Sequence, residues 1–407
     1  MNSRKLRIAL YSPGIVGLGH LRRNLLISQS LAHSPLQPVN LILAEAREAT
    51  AYVNAMLPGM DCVTLPGLRK DADGACQARH LDLSFEEMVQ LRSKTLAAVL
   101  EAFSPDVLIV DHLPRGAGGE LDLALQVLRP KATTRCVLGL RDVLGEPEVV
   151  NSDWLRWRNE AAIRDYYAAI WVYGDRQVYD LPTQCRFPEE VASKIRFTGY
   201  LDQRPRLAAL AADPHDPLEA LGLPEGRLVL CLVGGGQDGD RLARTFVQAE
   251  LPPGCNGVLV AGPFMSADVV QDLSRQAALQ SRLRVLRFIP EPTLILRRAE
   301  RVIAMGGYNT ICEVLSFEKP ALIVPRAWPR REQIIRAERL RDLGFIDMLH
   351  PEALTPQALS AWMARDIAPP QAKGRINFNG LGRVPELVTE LLAPSPDHAH
   401  EPQCAAA

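Results

Sequence analysis

Short apolar runs that stop at a glycine or proline alternate along this chain with longer stretches of helical period, and this alternation restricts the fold more than any other feature. An unbroken apolar run of four to six residues is what a strand shows when helices cover both of its faces. In the first half such runs fall at 7–11, 39–43, 107–110, 135–140 and 169–172, with helical stretches at 21–32, 85–103, 121–127 and 154–167. In the second half strands are expected at 228–233, 257–261, 283–288, 301–304 and 321–324, and helices at 240–249, 310–317, 332–343, 356–366 and 384–392. The fold class is therefore α/β with parallel sheets.

The 407 residues exceed one ordinary core and imply two domains. The break falls where Pro205, Pro214, Pro217 and Pro224 interrupt the alternation. This gives an N-terminal unit 1–203, a C-terminal unit 204–382, and a segment 383–407 made of one helix and a Pro/His/Ala tail too poor in apolar residues to pack. A formal net charge of -1 argues against nucleic acid as a partner. The eight cysteines are scattered, without metal-ligand spacing, so no metal and a reduced, cytoplasmic setting are expected. No apolar run approaches the roughly 18 residues of a membrane span, leaving at most peripheral contact with the inner face of a membrane. Trp154-Leu155-Arg156-Trp157-Arg158 would suit such a surface or a lipid-linked partner, but two Trp packing a helix onto the sheet is the favoured reading.

The first strand runs into a turn with Gly14, Gly17 and Gly19, followed by His20 and a helix. The spacing is not that of a dinucleotide fingerprint, and the Lys-Ser/Thr of a P-loop is absent. At a helix start the dipole lowers the pKa of His20 and favours the neutral imidazole that can deprotonate a hydroxyl. Asp111 ends the run 107–110 at the same sheet edge, where a carboxylate can orient that imidazole. Helix capping by His20 and loop capping by Asp111 are the structural alternatives. Arg115, Arg141 and Asp142 each follow a strand and are the candidate lining of the acceptor side, the two Arg suiting an anionic group.

In the second half, Gly234, Gly235 and Gly236 follow a buried strand and let backbone amides approach an anion such as a diphosphate. About seventy residues on, Gly306-Gly307-Tyr308-Asn309-Thr310 precede another helix, with Asn309 and Thr310 suited to cap it. Glu313, one turn in, can accept hydrogen bonds from the vicinal hydroxyls of a ribose or else complete a capping box. Glu332 and Gln333 open a further helix beside the same pocket and suit sugar hydroxyls, against the alternative of a solvated helix start.

These residues resemble the family 28 glycosyltransferases. The matching pieces are Gly234-Gly235-Gly236, Phe288-Ile289-Pro290, Gly306-Gly307-Tyr308-Asn309-Thr310 with Glu313, Lys319-Pro320-Ala321 before Val324-Pro325, and Arg331-Glu332-Gln333. Gly17-Leu18-Gly19-His20-Leu21-Arg22-Arg23 is similar to the G-x-G-H turn of these transferases and of related nucleotide-sugar hydrolases. The whole chain most resembles an uncharacterised group of predicted bacterial glycosyltransferases. The resemblance implies a GT-B fold, two facing Rossmann-like domains with a C-terminal crossing helix. It also implies an inverting transfer of a hexosyl group from a nucleotide-sugar, a UDP-sugar, with no cofactor and no required metal. Ile289 would then offer its backbone to the base, Glu313 would hold the ribose, the glycines with Tyr308 to Thr310 would surround the diphosphate, and Glu332 and Gln333 would meet the sugar. Where Gln is usual in the family this chain has Glu332, so the sugar stays unnamed, as does an anionic or lipid-linked acceptor. A hydrolase with the same His20, and a non-catalytic sugar-nucleotide-binding protein, are the rival readings.

Overall fold

A computed structural model of the chain describes residues 4–14, 19–45, 56–70, 76–131, 133–205, 207 and 218–394. In chain order the strands of the first half are β1 (Arg7–Tyr11), β2 (Val39–Glu45), β3 (Met60–Leu65), β4 (Leu68–Lys70), β5 (Cys76–Ala78), β6 (Val107–Asp111), β7 (Arg135–Arg141), β8 (Tyr167–Tyr173) and β9 (Ile195–Phe197). Those of the second half are β10 (Arg227–Leu232), β11 (Cys255–Val260), β12 (Leu283–Leu286), β13 (Arg301–Ala304), β14 (Ala321–Ile323) and β15 (Asp347–Met348). They build a sheet of order β3-β2-β1-β6-β7-β8-β9, a second of order β12-β11-β10-β13-β14-β15, and a separate β4-β5 hairpin. Every pairing in the two large sheets is parallel. Every residue of β6 and of β11 is buried, as an inner strand covered on both faces requires. The result is two Rossmann-like units in one GT-B architecture.

The apolar-run signal failed where strands sit at an edge or are short. β3, of sequence MDCVTL, has only Leu65 fully buried, and β9 has three residues. The helices Ala267–Ala278 and Thr293–Arg298 also lie outside the expected set. The stretch 154–167 is not one helix. Arg158 takes a left-handed φ of 53°, which separates the helix Pro147–Arg156 from Asn159–Tyr166. Tyr167 then starts β8, its hydroxyl donating to the Pro114 carbonyl at 2.5 Å.

The chain crosses back after the second sheet. Tyr200 N donates to the Asn377 carbonyl at 2.8 Å, and Asn377 N donates to an Asp175 carboxylate oxygen at 2.6 Å. The final helix, Gly380–Leu392, then packs on the first helix of the chain, Gly19–His33, with Ser30 Oγ donating to the Leu381 carbonyl at 2.8 Å. Leu21, Leu25, Val384 and Leu387 belong to one apolar core that continues into the second unit through Tyr308 and Ile311. Beside it Arg336 meets Asp142 across the domains, Nη2 to Oδ1 at 2.7 Å and Nε to Oδ1 at 2.9 Å, with both side chains buried.

Candidate active site

Strands β1 and β6 are neighbours at the point where the first sheet reverses its strand order, Tyr11 lying opposite Val110. Segments leaving the carboxyl ends of two such strands open on one crevice. His20 sits in the first turn of the helix after β1, and Asp111 is the last residue of β6. His20 Nδ1 lies 2.7 Å from Asp111 Oδ2. Arg23 grips the same carboxylate, Nη2 to Oδ1 at 2.7 Å and to Oδ2 at 2.5 Å. Burial pulls the Asp111 carboxyl upward, but the Arg23 guanidinium and His20 outweigh it and hold it below the usual carboxylate range. An anionic Asp111 needs a donor, so Nδ1 of His20 carries the proton and Nε2 keeps its lone pair. The His20 imidazole is lowered from its ordinary value, by burial first, against the pull of Asp111 and with a push from Arg23 and Arg141. The imidazole is therefore neutral at pH 7, with the Nε2 lone pair free to accept a proton.

The second sheet repeats the plan. β10 and β13 are neighbours at its reversal, with Leu232 opposite Ala304, so the glycine turn after β10 and the glycines after β13 face one another. Gly236 has φ +92°, and a Cβ there would stand 2.4 Å from the Ala261 carbonyl oxygen, so only glycine fits this turn. The helix Tyr308–Ser316 takes Gly307 as its N-cap with no side-chain cap. This overturns the expectation that Asn309 or Thr310 caps it. Asn309 Nδ2 instead donates to the Gly19 carbonyl of the first domain at 2.9 Å. The first-turn amides therefore lack a side-chain acceptor, as an anion-binding helix start requires. Glu313 is buried. Its Oε1 accepts from Arg22 Nη2 at 2.6 Å and from Thr293 Oγ1 at 3.2 Å, while its buried Oε2 has no partner among the described residues.

Between the two reversals lies a cleft of about 260 Å³. Of the residues expected at the site it is lined by Gly19, His20, Arg141, Gly234, Gly235, Gly236, Ile289, Gly307, Tyr308, Asn309, Thr310, Glu313 and Gln333, with Asp111 directly behind His20. Gly17 lies outside the described residues. Gly306 turns the chain at φ +84° behind the cleft and gives its carbonyl to Arg336 Nη1 at 3.3 Å.

Three expectations need correction. Glu332 is not on the cleft wall: it is buried and bound to Arg326 Nη2 at 2.5 Å. Asp142 is not an acceptor residue either, since Arg336 and the Tyr200 hydroxyl, the latter at 2.9 Å, occupy its carboxylate. Arg115 forms an ion pair with Asp122 and gives Nη1 to the Trp157 carbonyl at 2.9 Å, away from the cleft.

The residues missed are mainly cations. Arg22 and Arg23 stand in the quoted glycine-His turn without a role having been drawn for them, although cations one turn from a base at a sheet edge are a usable signal. Arg326 follows Val324-Pro325 and ties Asp238 of the glycine turn, at 2.8 Å, to Glu332; Gln333 Oε1 accepts from its backbone N at 2.9 Å. A smaller groove adjoins the first domain, lined by His112, Leu113, Val149, Trp154, Trp157 and Arg330 among others. Trp154 stacks on Phe187 at 4.3 Å, the packing expected of it, but Trp157 is 45% exposed at the groove. His112 has a left-handed φ of 72° and its ring centroid is 5.6 Å from that of His20.

A model of the glycosyltransferase family 28 C-terminal domain matches residues 229–376. An uncharacterised glycosyltransferase of Methanosarcina acetivorans is 24% identical over 345 residues, covering 82% of this chain and 83% of that one. A UDP-N-acetylglucosamine--N-acetylmuramyl-(pentapeptide) pyrophosphoryl-undecaprenol N-acetylglucosamine transferase of Geobacillus thermodenitrificans is 25% identical over 143 residues, 35% of this chain and 39% of that protein. Among solved structures, the glycotransferase of kitacinnamycin superposes with a TM-score of 0.60 at 17% identity, covering 96% of this chain and 100% of its own. That likeness establishes the fold.

Proposed function

We propose a reaction from the premise that this chain is a GT-B glycosyltransferase whose second domain is a family 28 C-terminal domain: inverting transfer of a hexosyl group from a UDP-sugar to an acceptor hydroxyl or amine. The observation that carries it is the His20–Asp111 pair at 2.7 Å on the lip of a cleft whose opposite wall is Gly234 to Gly236 and Gly307 to Thr310. Those glycines and the uncapped start of the helix Tyr308–Ser316 suit a diphosphate. Glu313 Oε2, buried and unpaired, suits the ribose hydroxyls; the Ile289 backbone suits the base, and Gln333 the sugar. Glu332 acts through Arg326, holding the wall rather than the sugar.

In this reading the acceptor attacks the anomeric carbon from the face opposite the diphosphate. Its proton passes to His20 Nε2, the bond from anomeric carbon to diphosphate oxygen breaks, and the electron pair leaves with UDP. Asp111 holds Nδ1–H and stabilises the imidazolium that forms. Backbone amides of the second domain stabilise the departing charge, so no metal is assigned a step. The test is His20→Ala with UDP affinity and turnover followed together. Turnover is expected to be lost and UDP affinity kept. Unchanged turnover would sink the assignment, and rapid release of free sugar without any acceptor would convert the reading to a hydrolase.

A further inference from the structure

Among the described residues, the cations on the cleft wall are neutralised with one exception. Arg22 meets Glu313, Arg23 meets Asp111, and Arg326 meets Asp238 and Glu332. Arg141, the last residue of β7, has no ion pair among the described residues. Its Nε is buried without a hydrogen-bond partner, and Nη2 makes one long contact, 3.5 Å, to His112 Nε2. Burial, then Arg23 and Arg336, push its guanidinium down to about 10, so it still carries its charge at neutral pH. A half-buried guanidinium without a carboxylate has lost part of its hydration, and a bound anion with two oxygens offsets that loss better than water does.

Its position narrows which anion. Arg141 lines the main cleft, while His112, which it touches, lines the adjoining groove. The guanidinium therefore stands where the two cavities meet, on the first-domain side, against His112, whose ring centroid is 5.6 Å from that of His20. The diphosphate cradle is the backbone of the opposite domain. His112 stays neutral, its pKa pushed well down by burial first and then by Arg141 and His20, so it can accept from the guanidinium and steady it.

We propose that Arg141 is a specificity-determining residue that binds a carboxylate or phosphate on the group reacting at His20, whether carried by the acceptor or by the transferred sugar, and not the donor's diphosphate. The inference rests on the nucleotide-sugar reading of the cleft. Calorimetric titration of the wild type, Arg141→Gln and Arg141→Lys tests it with three sets of probes. These are UDP alone, UDP-glucuronic acid against UDP-glucose, and, with UDP saturating, glucose 6-phosphate against glucose.

The wild type is expected to prefer the anionic member of one pair by about tenfold or more, roughly one charge-assisted hydrogen bond. Arg141→Gln should abolish that preference and leave UDP affinity within about twofold; Arg141→Lys should keep part of the preference and shows that loss of charge, not of fold, is being read. A preference within the UDP-sugars places the anion on the transferred sugar, and one within the glucose pair places it on the acceptor. Normal UDP binding with no anionic preference in either pair overturns this inference alone. So does a preference that survives Arg141→Gln, or a UDP affinity that collapses in that variant. A wild type that does not bind UDP overturns the nucleotide reading and this inference with it.

Discussion

At the reversal of the first sheet the cleft is lined by the side chains of His20, Arg23 and Arg141, backed by a buried carboxylate; at the reversal of the second, turn glycines and a helix start reach it, with the side chains of Glu313, Arg326 and Gln333 around them. In the proposed reaction the difference follows from what each wall would have to do. A diphosphate is the same in every turnover, and fixed backbone dipoles recognise it without titrating or reorganising. A proton transfer would need a group that changes charge, and the first wall offers an imidazole whose tautomer and pKa are set by neighbours. That wall is correspondingly more costly to disturb at His20, Arg23 and Asp111, which are buried against one another.

The largest effect that would break this contrast is at Asp111. Asp111→Asn removes the charge that fixes His20 in its base tautomer and strands Arg23, so turnover should fall by about 10²- to 10⁴-fold with UDP affinity little changed. Steady-state rates set beside UDP titrations check it, and a drop of less than about tenfold would put the base elsewhere.

Next in size is the buried clasp that holds the two walls face to face. Asp142→Ala leaves Arg336 charged and buried, and should cost about 3–5 kcal/mol in urea unfolding. Replacing both residues by apolar ones of similar volume should restore most of it. An Asp142→Ala variant of wild-type stability would mean that the walls are held by the apolar core alone.

On the backbone wall the contrast can be sharpened with two alanines. Gly236→Ala meets both a φ of +92° and the Ala261 carbonyl, and should cost about 1–3 kcal/mol of strain and weaken UDP clearly. Gly234→Ala has φ +64° but nothing within 4 Å, so it should cost about 1 kcal/mol and weaken UDP less. Equal effects on UDP affinity would mean that the turn is not held by close approach.

The smallest expected effect is in the pH profile. His20 acts as a base only when neutral, and its pKa is lowered from the ordinary histidine value. The ratio kcat/KM should thus stay level as pH falls through about 6.5, and decline only below that. A decline centred at or above the ordinary value would show that burial does not control this imidazole.

Much of this was legible in the residues. Inner strands such as β6 and β11 announce themselves as apolar runs because both faces are covered, and three consecutive glycines after β10 announce a turn in which Gly236 leaves no room for a side chain. That His20 and Asp111 meet was legible from their places after β1 and at the end of β6, at one sheet edge. What sequence could not supply is who meets whom across the domains. Glu313 with Arg22, Asn309 with the Gly19 carbonyl, and Asp142 with Arg336 are 194 to 291 residues apart, and no local period records them. For that reason Asp142 was misread as acceptor lining and Asn309 as a cap, while Arg326 went unnoticed. β3 escaped for a different cause, since an edge strand half exposed to water has no apolar run to show.

The central claim is that the second wall holds the nucleotide of a nucleotide-sugar and that Glu313 takes its ribose. Titration of the wild type and Glu313→Ala against UDP-, GDP- and dTDP-sugars tests it most directly. The account predicts one site that favours a UDP-sugar and loses about tenfold or more in affinity in Glu313→Ala. No nucleotide-sugar binding in the wild type, or the same affinity in both proteins, would contradict it.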